Sequence, residues 1–197
     1  MMKVLFVNAC MRGEKSRTLV LCKDYLEKLL AVHPEAEIEE VNLGSMDIEA
    51  QTGDFIARRD TFLKAGDFGD SMFDLAKQLI AADHVVIGAP YWDLSFPAKL
   101  KMYLERCSVD KLTFIYDDHG VPHGQCHAEA LVYITTAGGF IGDMNFGFDY
   151  VKGLTSFLFG IKKFYFVAAD GIDIVGIDVN AKLDEAKARL AEIANEI

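Results

Sequence analysis

Three cations, Arg12, Lys15 and Arg17, stand in one short run that also carries Cys10, Ser16 and Thr18. Cations beside hydroxyls and main-chain N–H groups suit a phosphate. The chain has a formal net charge of −10, but exposed charge is screened beyond about 8 Å at physiological salt, so the local sign decides what this run attracts. A second group, Tyr91, Trp92, Asp93 and Leu94, places two flat apolar faces between Pro90 and Pro97. A third, Thr136, Ala137, Gly138 and Gly139, supplies glycines whose missing side chains let a planar ligand approach the main chain.

Each group follows a run suited to a buried strand. Lys3 to Asn8 is short and apolar, as expected of a strand covered on both faces. The polar turn Ala9 to Lys15 then delivers the chain to a helix over Ser16 to His33, with Leu19, Cys22, Leu26, Leu29 and Leu30 recurring at three- and four-residue intervals. A helix opening on Ser16 leaves free N–H groups and the positive end of its dipole facing one spot, the physical basis of phosphate binding. His84 to Ala89 and Ala130 to Thr135 are the strands ahead of the second and third groups. Glu37 to Leu43 is acidic enough for a sheet edge, and Lys162 to Ala168 completes a set of five.

Between the strands, the spacing predicts helices over Asp70 to Ala82, from Pro97 as first helical residue through Cys107, over Gly153 to Gly160, and over Asp178 to Ile197. Gly44 to Gly69 has no clean period and reads as an excursion with some helix. Leu112 to Tyr116 is a short extended piece before a turn-rich loop, Asp117 to Gly124. Strands alternating with helices imply right-handed crossovers and a five-stranded parallel sheet with helices on both faces, in a single domain over residues 1–197. In such a sheet ligands sit beyond the carboxyl ends of the strands, where strand order reverses. With the order 2-1-3-4-5, the loops after strands one, three and four are neighbours. A phosphate cradle beside an aromatic, glycine-lined slot describes a site for flavin mononucleotide (FMN).

Composition narrows the partners. The chain of 197 residues is 51% hydrophobic and 25% charged, as expected of a globular protein. A pI near 4.9 argues against nucleic acid or an anionic membrane surface, both of which reward a basic face. No apolar run approaches the roughly 18 residues of a membrane helix, and no secretory leader is evident. The four cysteines form no CxxC pair and read as free thiols in a reducing cytoplasm. His119, His123 and His127 have ligand-like spacing, but Gly120, Pro122 and Gly124 break the helix that would align them, so no metal is expected. Cys10 followed by Arg17-Thr18 resembles the loop of low-molecular-weight tyrosine phosphatases, with one residue too many between cysteine and arginine.

The sequence is similar to the flavodoxin-like NAD(P)H-dependent oxidoreductases, which include FMN-dependent NADH-azoreductases and NAD(P)H:quinone oxidoreductases. The likeness spans nearly the whole chain and is closest from Ala89 to Lys101 and from Thr135 to Gly139. It implies a three-layer flavodoxin-like sandwich in which Ser16 and Thr18 hold the phosphate, with the backbone at Cys10 and around Arg17 nearby. It further implies that Tyr91, Trp92, Asp93 and Leu94 flank the isoalloxazine, and that Thr136, Ala137, Gly138 and Gly139 bond its pyrimidine edge.

The implied activity is ping-pong hydride transfer from NADH or NADPH through FMN to a quinone or azo compound, in a homodimer with flavin sites at the interface. No side chain is assigned as catalytic acid or base, because the cofactor carries the hard chemistry. Two positions depart from the family pattern: Asp93 replaces a common Asn, which would lower the flavin potential, and Cys10 replaces a hydroxyl residue. A flavodoxin-type electron carrier is the rival reading; the middle excursion and the Tyr91-Trp92 loop look more like a substrate pocket.

Overall fold

The computed structural model describes residues 1–197. Its strands, in chain order, are β1 (Lys3–Asn8), β2 (Glu37–Asn42), β3 (His84–Gly88), β4 (Phe114–Tyr116), β5 (Pro122–Gly124), β6 (Ala130–Thr136) and β7 (Lys163–Ala169). The helices are α1 (Arg17–Val32), α2 (Gly53–Ala65), α3 (Asp74–Ala81), α4 (Ala98–Cys107), α5 (Phe146–Leu154) and α6 (Val179–Glu196). One five-stranded sheet runs β2-β1-β3-β6-β7, every pair parallel. This is the expected 2-1-3-4-5 order, with the strands of a small hairpin counted between the third and fourth.

Alternation along β1 explains the layering, because successive side chains of a strand leave opposite faces. Val4 and Phe6 pack with Leu19, Cys22 and Leu26 of α1 and Leu190 of α6 on one face. Leu5 and Val7 pack with Leu79 of α3, Leu100 and Leu104 of α4 and Val151 of α5 on the other. The register sets Asn8 opposite Gly88 and Gly88 opposite Ile134, so the three central strands end nearly level. Their exit loops therefore share one edge of the sheet. None of the helices is long and apolar enough to cross a membrane.

At the opposite end of the sheet, Tyr25 of α1 meets His84 of β3, hydroxyl to Nε2, at 2.9 Å. Burial pushes the imidazole down to about 4, so it stays neutral near neutrality. This contact pins the middle of α1 to the sheet.

Several segments differ from the sequence expectation. The excursion holds the full helix α2, whose residues include none that is buried. It leans through Phe62 and Leu63 on a satellite cluster of Phe73, Ala76 and Val109. Pro97 does not begin α4: its ψ of 139° keeps it extended, and the helix starts at Ala98. The Asp117 to Gly124 loop contains β5, which pairs antiparallel with β4. A Cβ on Gly124 would lie 2.1 Å from the carbonyl carbon of Phe159, so only glycine lets the hairpin sit there. The helical stretch expected from Gly153 instead opens at Phe146 and passes through a π-helical turn, Thr155–Phe159, to Gly160 at φ 83°.

Candidate cofactor site

The loops leaving β1, β3, β6 and β7 surround a cavity of about 310 Å³. Its phosphate-like end is built by the first of them. Gly13, at φ 54°, makes a 3₁₀ turn over Gly13–Lys15, and Ser16 then caps α1, its Oγ accepting from the N–H of Leu19 at 3.3 Å. The helix ladder supplies no acceptor for the N–H groups of Arg17 and Thr18. Arg12, Lys15, Ser16 and Arg17 line this end of the cavity, so cations and free N–H groups meet where an anion would lodge.

Thr18 takes part differently from what its hydroxyl implied. The residue is fully buried and its Oγ1 lies 2.7 Å from Oγ1 of Thr136. The hydroxyl ties the start of α1 to the end of β6. Cys10 lies beneath the loop, buried, with its Sγ donating to the carbonyl of Gly88 at 3.6 Å. A hydrogen bond with Cys22 lowers the Cys10 thiol, burial opposes that, and Ser16 adds to the lowering. Cys22 is pushed up by its own burial.

At the ring end, Pro90, Tyr91 and Trp92 line one wall and Thr136 and Gly138 another. Tyr91 is held from two sides, its N–H donating to the carbonyl of Thr136 at 3.0 Å and its hydroxyl to that of Met144 at 2.8 Å. Asp93 and Leu94 form the tip of a tight turn closed by Trp92 and Ser95, with φ of 50° and 64°. That geometry fits the primed hairpin turns that favour Asn-Gly. A leucine there is strained, and such strain concentrates at ligand-binding loops. Asp93, Leu94, Ala137 and Gly139 border this end without lining the cavity.

The loop after β7 contributes residues that the sequence reading did not select, Ile172 and Asp173. Its N–H groups serve the glycine loop: Gly171 donates to the carbonyl of Gly139, Ile172 to Ala137 and Asp173 to Gly138, at 3.0–3.2 Å. With those carbonyls engaged, the N–H groups of Gly138 and Gly139 make no hydrogen bond within the chain. They are free to meet the polar edge of a planar ring. The signal for this loop was its strand: fifth in the order 2-1-3-4-5, next to the fourth, and followed at once by Asp170-Gly171-Ile172-Asp173.

The arrangement fits FMN on its own chemistry, an anion cradle, an aromatic wall and unsatisfied N–H donors in one cavity. Elsewhere on the surface, Phe140, Phe146 and Phe157 are 63%, 53% and 64% exposed. Phe148 instead joins the core, its ring centroid 4.9 Å from that of Phe166. Arg58 and Arg59 lie away from the cavity; Arg58 pairs with Asp70, and Arg59 bonds Gln51.

Comparison with known proteins agrees with this geometry. The FMN-dependent NADH:quinone oxidoreductase of Clostridium perfringens (strain ATCC 13124) is 31% identical, the match covering 100% of both chains. That of Lachnoclostridium phytofermentans is 32% identical with the same coverage. Among solved structures, an azoreductase from Bacillus anthracis str. Sterne has a TM-score of 0.87 at 23% identity over 100% of both chains. An FMN-dependent NADH-azoreductase from Bacillus anthracis str. Ames Ancestor, in complex with FMN, has a TM-score of 0.85 at 22% identity, covering 100% of this chain and 99% of that one. The family model for the flavodoxin-like fold (Flavodoxin_2) matches residues 2–194, and the chain belongs to that family.

Proposed function

We propose that this protein is an FMN-dependent NADH oxidoreductase that reduces quinones, or azo compounds of similar shape, by two electrons in a ping-pong cycle. The observation that carries the reading is the single cavity in which an anion cradle and a planar, N–H-lined slot meet. Full-length similarity to FMN-dependent NADH:quinone oxidoreductases supports the same cofactor and donor. Bound there, FMN would take a hydride from the nicotinamide and release both electrons to the acceptor.

In this reading Ser16, Arg12, Lys15 and the N–H groups opening α1 hold the phosphate. Gly138 and Gly139 hold the pyrimidine edge through N–H, and Tyr91, Trp92, Asp93 and Leu94 flank the ring. The chain's role is binding, orientation and electrostatics; no side chain in the cavity is placed as a proton donor or acceptor. The exposed Phe140, Phe146 and Phe157 support a homodimer in which a second copy covers apolar surface.

The test is an anaerobic titration of FMN-loaded protein with NADH, followed by a quinone. Bleaching of the flavin band in one rapid phase, its recovery on adding quinone, and parallel double-reciprocal plots are expected. A colourless protein that FMN at saturation neither colours nor stabilises against heat would overturn the cofactor. Flavin that binds but bleaches only with one-electron reductants would favour the carrier reading.

A further inference from the structure

At the phosphate-like end an exposed pair of opposite charges joins two loops. Arg17 Nη1 lies 2.8 Å from Asp173 Oδ1, with the two side chains 46% and 68% exposed, whereas Ser16 at the inner end is buried. An isolated pair this exposed stabilises the fold by little, so its position invites another explanation. Asp173 is fixed at both ends. Its N–H donates to the carbonyl of Gly138 at 3.0 Å, and its carboxylate rests where a Cβ on Gly138 would be 2.5 Å from Oδ2. One carboxylate thus links the glycine loop to the cation loop and stands at the mouth of the cradle.

We infer that Asp173 is a specificity-determining residue that restricts the site to a flavin ending in a single phosphate. The inference rests on the flavin reading above. A terminal phosphate seated against Ser16 and the free N–H groups ends short of the mouth and shares Arg17 with Asp173. A phosphate esterified onward, as in flavin adenine dinucleotide (FAD), must send its second phosphate out through that mouth. There it meets the carboxylate, and like charges this close lie within the screening length of about 8 Å and repel. Riboflavin has no phosphate and is indifferent to the residue.

The experiment measures affinities of apoprotein for FMN, FAD and riboflavin by flavin fluorescence quenching, for the wild type and for Asp173→Asn. The amide keeps an oxygen for Arg17 and removes the charge. The wild type should favour FMN over FAD by about tenfold or more, Asp173→Asn should narrow that ratio by about fivefold, and riboflavin should bind both alike. Asp173→Glu should restore the discrimination. If Asp173→Asn does not fold, the wild type still decides: a narrower FMN-to-FAD ratio near 1 M salt, where the Debye length is about 3 Å, supports the inference, and a ratio independent of salt overturns it. An unchanged ratio in Asp173→Asn, or an equal change for all three flavins, also overturns it. Failure of every flavin to bind the wild type would instead remove the underlying reading.

Discussion

The two ends of the cavity are built on different principles. The phosphate-like end is backbone: a strand, a turn at Gly13 and a capped helix, with Cys10, Ser16 and Thr18 all buried around it. The ring end is made of loops, with the exposed Trp92 in its wall and a turn held at unfavourable φ. An anion can be met by a geometry that the fold supplies anyway, because helix termini point free N–H groups outward. A flat ring needs surfaces, which loops present. The first end is preorganised and the second is assembled.

Acid should strike hardest at the far end of the sheet, where the middle of α1, the helix whose N-terminus forms the preorganised end, is pinned. His84 binds Tyr25 of α1 and is held near 4 against an ordinary value of 6.5 by burial. Its folded-state pKa is depressed, so its contribution is complete above about 6.5 and is lost as pH falls from there toward 4. The loss is about 3 kcal/mol, from roughly 1.4 kcal/mol for each pH unit. Thermal melts between pH 7 and pH 4 should show it, and His84→Gln, which takes up no proton, should start less stable but fall with a shallower slope. An identical slope in that variant would assign the acid sensitivity elsewhere.

A pair of glycines sets the two ends against each other directly. A Cβ on Gly88, under the phosphate-like end, would sit 2.4 Å from Cys22 Sγ and 3.3 Å from the ring of Phe6. Overpacking of that kind costs about 2 kcal/mol, so Gly88→Ala should lower the melting temperature by about 4–8 °C. Gly139, at the ring end, has nothing within 4 Å of such a Cβ. Gly139→Ala should stay within about 0.5 kcal/mol of the wild type. Equal effects at the two sites would erase the contrast.

The smallest effect is expected at the strained turn. Leu94 at φ 64° carries a left-handed penalty that glycine avoids, offset in part by the extra freedom of an unfolded glycine. Leu94→Gly should therefore stabilise the ligand-free protein by about 0.5 kcal/mol, read as a rise of roughly 1–2 °C. The same substitution should weaken FMN binding if the turn is held in place for the ring. A variant that is both more stable and equally tight would show the strain to be unrelated to binding.

Legibility in the sequence followed the same division. The five sheet strands and Ser16 as cap were readable because burial on two faces and capping leave strong local patterns at Val4 to Val7 and Ser16 to Leu29, whereas the sheet order came with the flavodoxin-like likeness. The excursion showed some helix but not the bounds of α2, because that helix fully buries no residue and its apolar stripe is weak. Pro122 to Gly124 read as a loop because proline and glycine signal turns, while what holds β5 in place is contact with the distant Phe159. Thr18 looked like a phosphate ligand from its type; only the packing shows its hydroxyl bonded to Thr136. Asp173 lay outside every motif, and its place beside Arg17 depends on α1 crossing back over β3 and β6 toward the loop after β7.

The seam between Gly124 and the Phe159-Gly160 turn has a mechanical corollary. Main chain presses on main chain there, with no side chain to yield, so the β4–β5 hairpin and the end of α5 must breathe together. The stretch that carries exposed Phe157 is thereby coupled to a hairpin elsewhere on the surface, and the two should exchange their amide protons as one cooperative block rather than as independent flaps.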